Sequence, residues 1–167
     1  KQWEVGCTLI RIGSNMGDRL ENLKKAGVRL KGISQRIEFS EVYESTARGF
    51  SIQPEFLNAV CKLSTWLTPW SFLQQAKNIE SDLGRLKVFP NAPRSIDIDI
   101  ILWDQVQIKS PNLEIPHPRF KERAFVLRPL LDLNPFMTEP AKKRRVDSYV
   151  NELSGENTAK SVGPLLI

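Results

Sequence analysis

Long hydrophobic runs are missing from this chain: charge interrupts every apolar stretch, and none comes near the roughly twenty residues a membrane-spanning helix needs. A soluble, cytoplasmic protein without a membrane partner is the expectation. Cysteine is nearly absent too. Cys7 and Cys61 are the whole complement, each inside a strand-like apolar segment, which suits two thiols in a reducing compartment better than a disulfide framework. Histidine occurs once, as His117. No zinc-ligand spacing, Ser-His-Asp order or dinucleotide fingerprint can be found. Gly13-Ser14-Asn15-Met16-Gly17 stands where a strand gives way to a helix but lacks the Gly-Lys-Ser/Thr ending of a P-loop.

What is present suits one domain. The 167 residues, 41% hydrophobic and 26% charged, can bury a core without help from metals or disulfides. The net charge is +5, but Lys142-Lys143-Arg144-Arg145 supplies four positive charges, so the rest is nearly neutral. A nucleic-acid binder would spread its basic excess over a folded face. The run is therefore expected to be a solvated linker, and no nucleic-acid partner is expected. The expected division is a core over about 4–135, followed by a basic linker and C-terminal helix over 136–167. The start at Lys1 and the apolar end Val162-Gly163-Pro164-Leu165-Leu166-Ile167 are read as excision from something longer.

Val5 to Ile12 alternates with a period of two, as a strand does. Asp18 followed by Glu21 resembles a capping box, and Leu20, Leu23, Gly27 and Leu30 recur at helical spacing, predicting a helix from about Arg19 to Leu30. Ile37–Tyr43 and Phe56–Leu67 read as strands, separated by a long loop over Glu44–Glu55. Thr68 as N-cap and Pro69 at the first helical position open a second helix, with Phe72, Ala76, Ile79 and Leu83 on one face and Gly84 at its end. A loop over Arg85–Arg94 feeds the strand Ser95–Trp103. The order βαββαβ predicts an α+β, ferredoxin-like fold with an antiparallel sheet backed by two helices. A short hairpin through Asp104-Gln105, a helix near Phe120–Arg128 and a final helix on Val146, Tyr149, Val150 and Leu153 should complete it.

The most informative stretch is Arg94-Ser95-Ile96-Asp97-Ile98-Asp99-Ile100. Strand alternation puts Ile96, Ile98 and Ile100 on one buried face and projects both aspartates from the other, about 7 Å apart at two residues' rise. Two readings stand: solvent-facing aspartates on a half-exposed strand, or a carboxylate pair holding magnesium against substrate phosphates. Aspartate is disfavoured in strands, and Arg85, Lys87, Arg94 and Arg123 could neutralise phosphate nearby, which favours the second. His117, between Pro116 and Pro118, has its backbone held extended and suits a hydrogen bond to a ligand.

Taken in chain order, several segments resemble the 6-hydroxymethyl-7,8-dihydropterin pyrophosphokinases of folate biosynthesis, from Val5 to about Leu131. They are Ile12-Gly13-Ser14-Asn15, Phe56-Leu57-Asn58-Ala59, Ile79-Glu80 with Gly84-Arg85, Pro93-Arg94-Ser95-Ile96-Asp97-Ile98-Asp99, Pro116-His117-Pro118-Arg119-Phe120 and Arg123-Ala124-Phe125-Val126-Leu127. The resemblance implies a ferredoxin-like fold and transfer of pyrophosphate from ATP to the pterin hydroxymethyl group, releasing AMP. It assigns two magnesium ions to Asp97 and Asp99, and loop arginines that close over the phosphates to Arg85 and Arg94. Phe56 and Phe125 would sandwich the pterin, Asn58 would bind its edge, and Ser45 and Thr46 would complete that pocket. Glu80, Lys87, Ile100, His117 and Arg123 would line the ATP side. Lys87 stands where many relatives carry arginine, which makes that contact a point charge. The resemblance leaves two arrangements open, a stand-alone kinase and a fusion to dihydropteroate synthase, with an organellar location if there is a fusion of the plant type.

One rival is an RNA-recognition module, which shares the βαββαβ order but needs exposed aromatics in an RNP1-like pattern that this sequence lacks. Another is a different metal-dependent phosphotransferase, which would release ADP or free pyrophosphate instead of AMP.

Overall fold

The alternation at the start of the chain becomes an inner strand of the sheet, between β-strands on either side. In the computed structural model, which describes residues 5–45, 55–84, 95–155 and 157–167, the elements run β1 (Gly6–Ser14), α1 (Arg19–Lys31), β2 (Arg36–Phe39), β3 (Glu41–Ser45), β4 (Phe56–Thr65), α2 (Pro69–Asp82) and β5 (Asp97–Trp103). There follow the two-residue strands β6 (Ile108–Lys109) and β7 (Glu114–Ile115), a 3-10 turn (Phe120–Glu122), α3 (Ala124–Leu133), α4 (Asp147–Val150) and β8 (Lys160–Pro164). The strand order is β5-β1-β4-β3-β8 with β2 also on β4, and every pairing is antiparallel. Counting β2 and β3 as one interrupted strand, this is the expected ferredoxin-like α+β core.

Both helix starts are built as the sequence predicts. Asp18 accepts a hydrogen bond from the Glu21 N–H at 3.1 Å, and Thr68 accepts one from the Ser71 N–H at 3.1 Å with Pro69 behind it. Gly84 follows α2 at φ 88°, a left-handed conformation that glycine adopts without strain. α1 and α2 cover one face of the sheet, packing Leu23, Leu30 and Phe72 against Ile10, Ile12, Ile98 and Ile100. α3 and α4 cover the other, packing Leu127, Leu130 and Tyr149 against Leu9, Val60 and Ile101. Opposite Leu9 and Ile10 the register slips from Leu102 to Ile100, leaving Ile101 as an extra residue. Ile101 and Leu102 therefore both enter the α3 core, while Trp103 returns to the other. Ahead of the bulge the alternation is regular, so Asp97 and Asp99 face the α3 side.

Several expectations need correction. The strand expected over Ile37–Tyr43 is split at Ser40, whose N–H donates to the Val60 carbonyl while its Oγ accepts from the Val60 N–H at 2.9 Å. A hydroxyl thus takes over a main-chain acceptor's part, and Ser40→Ala should cost about 1–3 kcal/mol by stranding a buried N–H. A thermal-unfolding midpoint equal to that of the unsubstituted domain would contradict this. Leu20 is not on the buried face of α1, which consists of Leu23, Ala26, Gly27 and Leu30. The Asp104-Gln105 turn forms, with Asp104 at φ 45°, but β6 beyond it pairs with β7 and not with β5, so the hairpin is β6 on β7.

The basic run is exposed at Lys142, Lys143 and Arg145, as a solvated stretch would be, but it is tied to the fold. The buried Glu139 accepts from the N–H groups of Ala141 and Lys142, Arg144 lies 4.2 Å from the Tyr149 ring centroid and pairs with Glu152, and Arg145 pairs with Asp147. The final helix is a single turn, continued by turns closed from Glu152 N–H to Tyr149 and Leu153 N–H to Val150. Beyond it, β8 pairs with the open edge of β3. Cys7 and Cys61 are free thiols, and burial pushes Cys61 up to about 12. Among the described residues no helix is long and apolar enough to cross a membrane.

Candidate active site

β1, β4 and β5 lie side by side, so alternate residues of all three face α3 together. From β5 come Asp97 and Asp99, from β4 Phe56 and Asn58, and from β1 Arg11. Arg11 joins them. Its Nη1 donates to Asp99 at 2.8 Å and lies 3.5 Å from Asp97, while Nε and Nη2 donate to Asn58 Oδ1 at 3.0 and 2.7 Å. The Arg11 Cζ is 5.4 Å from the Phe56 ring centroid and 5.0 Å from that of Phe125, at the start of α3. Asn58 is fully buried, and its Nδ2 donates to Ser45 Oγ at 2.9 Å. Ser45, Phe56, Asn58 and Phe125 thus form one cluster around Arg11.

The loop before α3 supplies the rest. His117 donates its main-chain N–H to Ile101 at 2.9 Å, which secures the loop to the outer edge of β5. Its Nδ1 accepts from the Arg119 N–H at 3.1 Å, leaving Nε2 as the ring position that carries hydrogen. Burial lowers the imidazole below its ordinary value, against the opposing pull of Asp99. Burial alone would raise the Asp99 carboxyl, but the charge and hydrogen bond of Arg11, with His117 and Arg123 nearby, hold it below the usual carboxylate range. Arg123 lies 5.5 Å from the Phe125 ring centroid. Asp99, His117, Arg123 and Phe125 are therefore neighbours.

Two residues expected on the ATP side have their side chains engaged elsewhere. The Ile100 side chain is in the core beneath α1 and α2, because alternation places it opposite the aspartates. Glu80, on α2, is buried and accepts the Ile98 N–H at 2.8 Å, satisfying a main-chain donor on the sheet's edge strand. It holds β5 in place. Glu80→Ala should lower stability by about 1.5–3 kcal/mol, the range for a bond to a charged group, whereas Glu80→Gln keeps the acceptor and most of the stability. Equal melting temperatures for the two variants would refute that role. Thr46, Arg85, Lys87 and Arg94 lie outside the described residues.

The residue that the sequence reading missed is Arg11. Its signal was a single arginine inside an otherwise apolar strand, on the face that Leu9 uses for packing. Gly13 makes its seat possible, since a Cβ there would lie 2.3 Å from Arg11 Nη2 and 2.7 Å from Cζ.

The Asp97 and Asp99 carboxylates converge on one cationic atom, Arg11 Nη1, and both are hard oxygen donors. No group of three or more His, Cys, Asp or Glu side chains placed to hold a metal occurs among the described residues. Two carboxylates without a protein cage suit magnesium, which keeps most of its shell for water and substrate phosphates.

The family described as 7,8-dihydro-6-hydroxymethylpterin-pyrophosphokinase matches residues 9–135. The 2-amino-4-hydroxy-6-hydroxymethyldihydropteridine pyrophosphokinase of Aquifex aeolicus is 38% identical over 156 residues, covering 93% of this chain and 95% of that one. The folic acid synthesis protein fol1 of Pneumocystis carinii is 40% identical over 159 residues, 94% of this chain but 21% of that protein. The chain thus spans about a fifth of the fungal relative's length. A crystal structure of Plasmodium falciparum HPPK-DHPS shares the fold with a TM-score of 0.72 at 15% identity, covering 89% of this chain and 45% of that one. By the extent of the family match and the near full-length likeness to the Aquifex protein, this chain belongs to the 7,8-dihydro-6-hydroxymethylpterin-pyrophosphokinase family.

Proposed function

We propose that this domain transfers the terminal pyrophosphate of ATP to the hydroxymethyl group of 6-hydroxymethyl-7,8-dihydropterin, releasing AMP, as a step of folate biosynthesis. The observation that carries this is one sheet face on which a carboxylate pair adjoins a cluster of two phenylalanine rings and the buried Asn58 amide. The pair suits metal-bound phosphates, and the aromatic cluster suits a flat heterocycle with a hydrogen-bonding edge.

Asp97 and Asp99 would hold two magnesium ions, which supply charge neutralisation to the triphosphate when bound. The protein does the positioning. Pairing of β5 with β1 fixes the carboxylates, Phe56 and Phe125 orient the ring by its faces, and Asn58, held by Ser45, reads its edge. The pterin hydroxyl is thereby aimed at the β-phosphorus in line with departing AMP, and holding reactants in that geometry is a large share of the catalysis. His117, through Nε2–H, and Arg123 lie beside Asp99, where they would contact nucleotide oxygens. Arg85, Lys87 and Arg94 would add positive charge over the phosphates, and Thr46 would adjoin the pterin.

A nucleic-acid partner fits poorly, because α3 covers the sheet face that an RNA-recognition module leaves open. The full-length protein would be a fusion with dihydropteroate synthase, working in the cytoplasm or, for a plant-type fusion, in an organelle. The mass of the native gene product tests the fusion.

The direct test is release of AMP from ATP, with hydroxymethyldihydropterin as acceptor and magnesium varied. AMP formed only with both acceptor and metal supports the reading. ADP or free pyrophosphate as product would overturn it.

A further inference from the structure

One side chain rests on Phe56, Asn58 and Phe125, to which the proposed function gives the pterin, and on Asp97 and Asp99, to which it gives the metal. Arg11 is 4% exposed in the middle of the sheet. Its guanidinium bonds the Asn58 acceptor twice, lies over both phenylalanine rings, and touches both aspartates through a single nitrogen.

The chemistry of this occupant matches what it occupies. A 2-aminopteridine has an exocyclic amine on a carbon flanked by two ring nitrogens, the same planar carbon with three nitrogens found in a guanidinium. An acceptor and aromatic faces that seat one therefore suit the other. The same guanidinium supplies Asp97 and Asp99 with the positive charge that a divalent cation would otherwise bring. Gly13 keeps the seat open on the backbone side.

We propose that Arg11 is a built-in occupant of the substrate site, standing in for the guanidine-like edge of the pterin and for the charge of the metal. It leaves its seat when either binds, and so couples the two binding events. This rests on the pterin and metal assignments above. The first ligand to arrive must displace the guanidinium; the second finds it already displaced. Each therefore tightens the other, and by linkage the tightening is equal in both directions.

The test is equilibrium binding of 6-hydroxymethylpterin, followed by its fluorescence, to the unsubstituted domain, Arg11→Ala and Arg11→Lys. Each is titrated alone and with magnesium plus a nonhydrolysable ATP analogue, and circular dichroism confirms folding. The unsubstituted domain should bind the pterin more tightly with the metal-nucleotide, by between about 5- and 150-fold. Arg11→Ala should bind it tightly without nucleotide and lose most of that enhancement. Arg11→Lys, which keeps a charge near the aspartates but lacks the flat fork, should also bind more tightly alone. If the alanine variant does not fold, the lysine variant decides. Nucleotide-free affinity that is unchanged or weaker in the folded variants overturns the proposal while leaving the function intact, since the pterin still binds. No pterin binding by any form under any condition refutes the function, and the inference with it.

Discussion

AMP release should fall by at least about three orders of magnitude when either Asp97 or Asp99 is replaced, by alanine or by asparagine, with the domain still folded. The two carboxylates lie on the α3-facing side of β5, whose register against β1 is set by Arg11 opposite Asp99 and Gly13 opposite Asp97. Neither can be replaced by the other, because each occupies its own end of that short span. Folding should survive for a specific reason. Removing one aspartate still leaves Arg11 with the other and with Asn58, so its buried charge is not stranded. Asp99 is the nearer partner but its side chain is 30% exposed, so its loss should stay below the roughly 3–5 kcal/mol of breaking a fully buried pair. Thermal unfolding beside initial rates separates the two effects. If either asparagine variant retains most of its turnover, the carboxylate pair is not the catalytic metal site.

How much of this was readable beforehand depends on where each residue's partners lie. Asp18 and Thr68 cap groups three residues away, so those helix starts were legible as short patterns. The aspartate pair was legible because β5 alternates regularly up to Ile101. The site cluster was legible in outline, since the family's motifs carry Phe56, Asn58, Asp97, Asp99 and Phe125. Arg11 was not, because Asn58 is 47 residues away and Asp99 is 88. Within its own strand it looks like a break in an apolar pattern.

Ser40 interrupts its strand with a side-chain bond that leaves no period to detect. Glu80 was assigned to the ATP side through the family resemblance, and the main-chain bond it makes was not legible. Its partner is the Ile98 main chain, which carries no side-chain signal. The C-terminal stretch misled for the same reason. Four consecutive basic residues suggest solvent, where Lys142, Lys143 and Arg145 do lie, and only the fold sets Arg144 on Tyr149 and the buried Glu139 under the main chain of Ala141 and Lys142. β8 contains Gly163 and Pro164, both poor strand formers, and is a strand only because β3 presents an open edge.

Loss of Arg85 or Arg94 should lower turnover by about a thousandfold or more while changing nucleotide affinity only modestly. Both lie in the ten-residue segment 85–94, outside the described residues, but its two ends are fixed. A Cβ on Gly84 would lie 3.9 Å from Ser95 Oγ, so the chain leaves and returns at nearly the same place, two residues ahead of Asp97. Arg85 and Arg94 are bonded directly to Gly84 and Ser95, so each starts within about 4 Å of a described residue, and it is their long side chains that would reach phosphates held at the aspartates. Cations that were fully engaged in the ground state would lower KM without raising kcat. A charge brought in as the phosphoryl oxygens become more negative acts on kcat alone. The two constants, measured separately on Arg85→Ala, Arg94→Ala and the matching lysine variants, decide between these roles. A fall in kcat partly restored by lysine supports charge delivered during the reaction. A rise confined to the KM for ATP makes the arginines ground-state binders, and unchanged constants remove them from the mechanism.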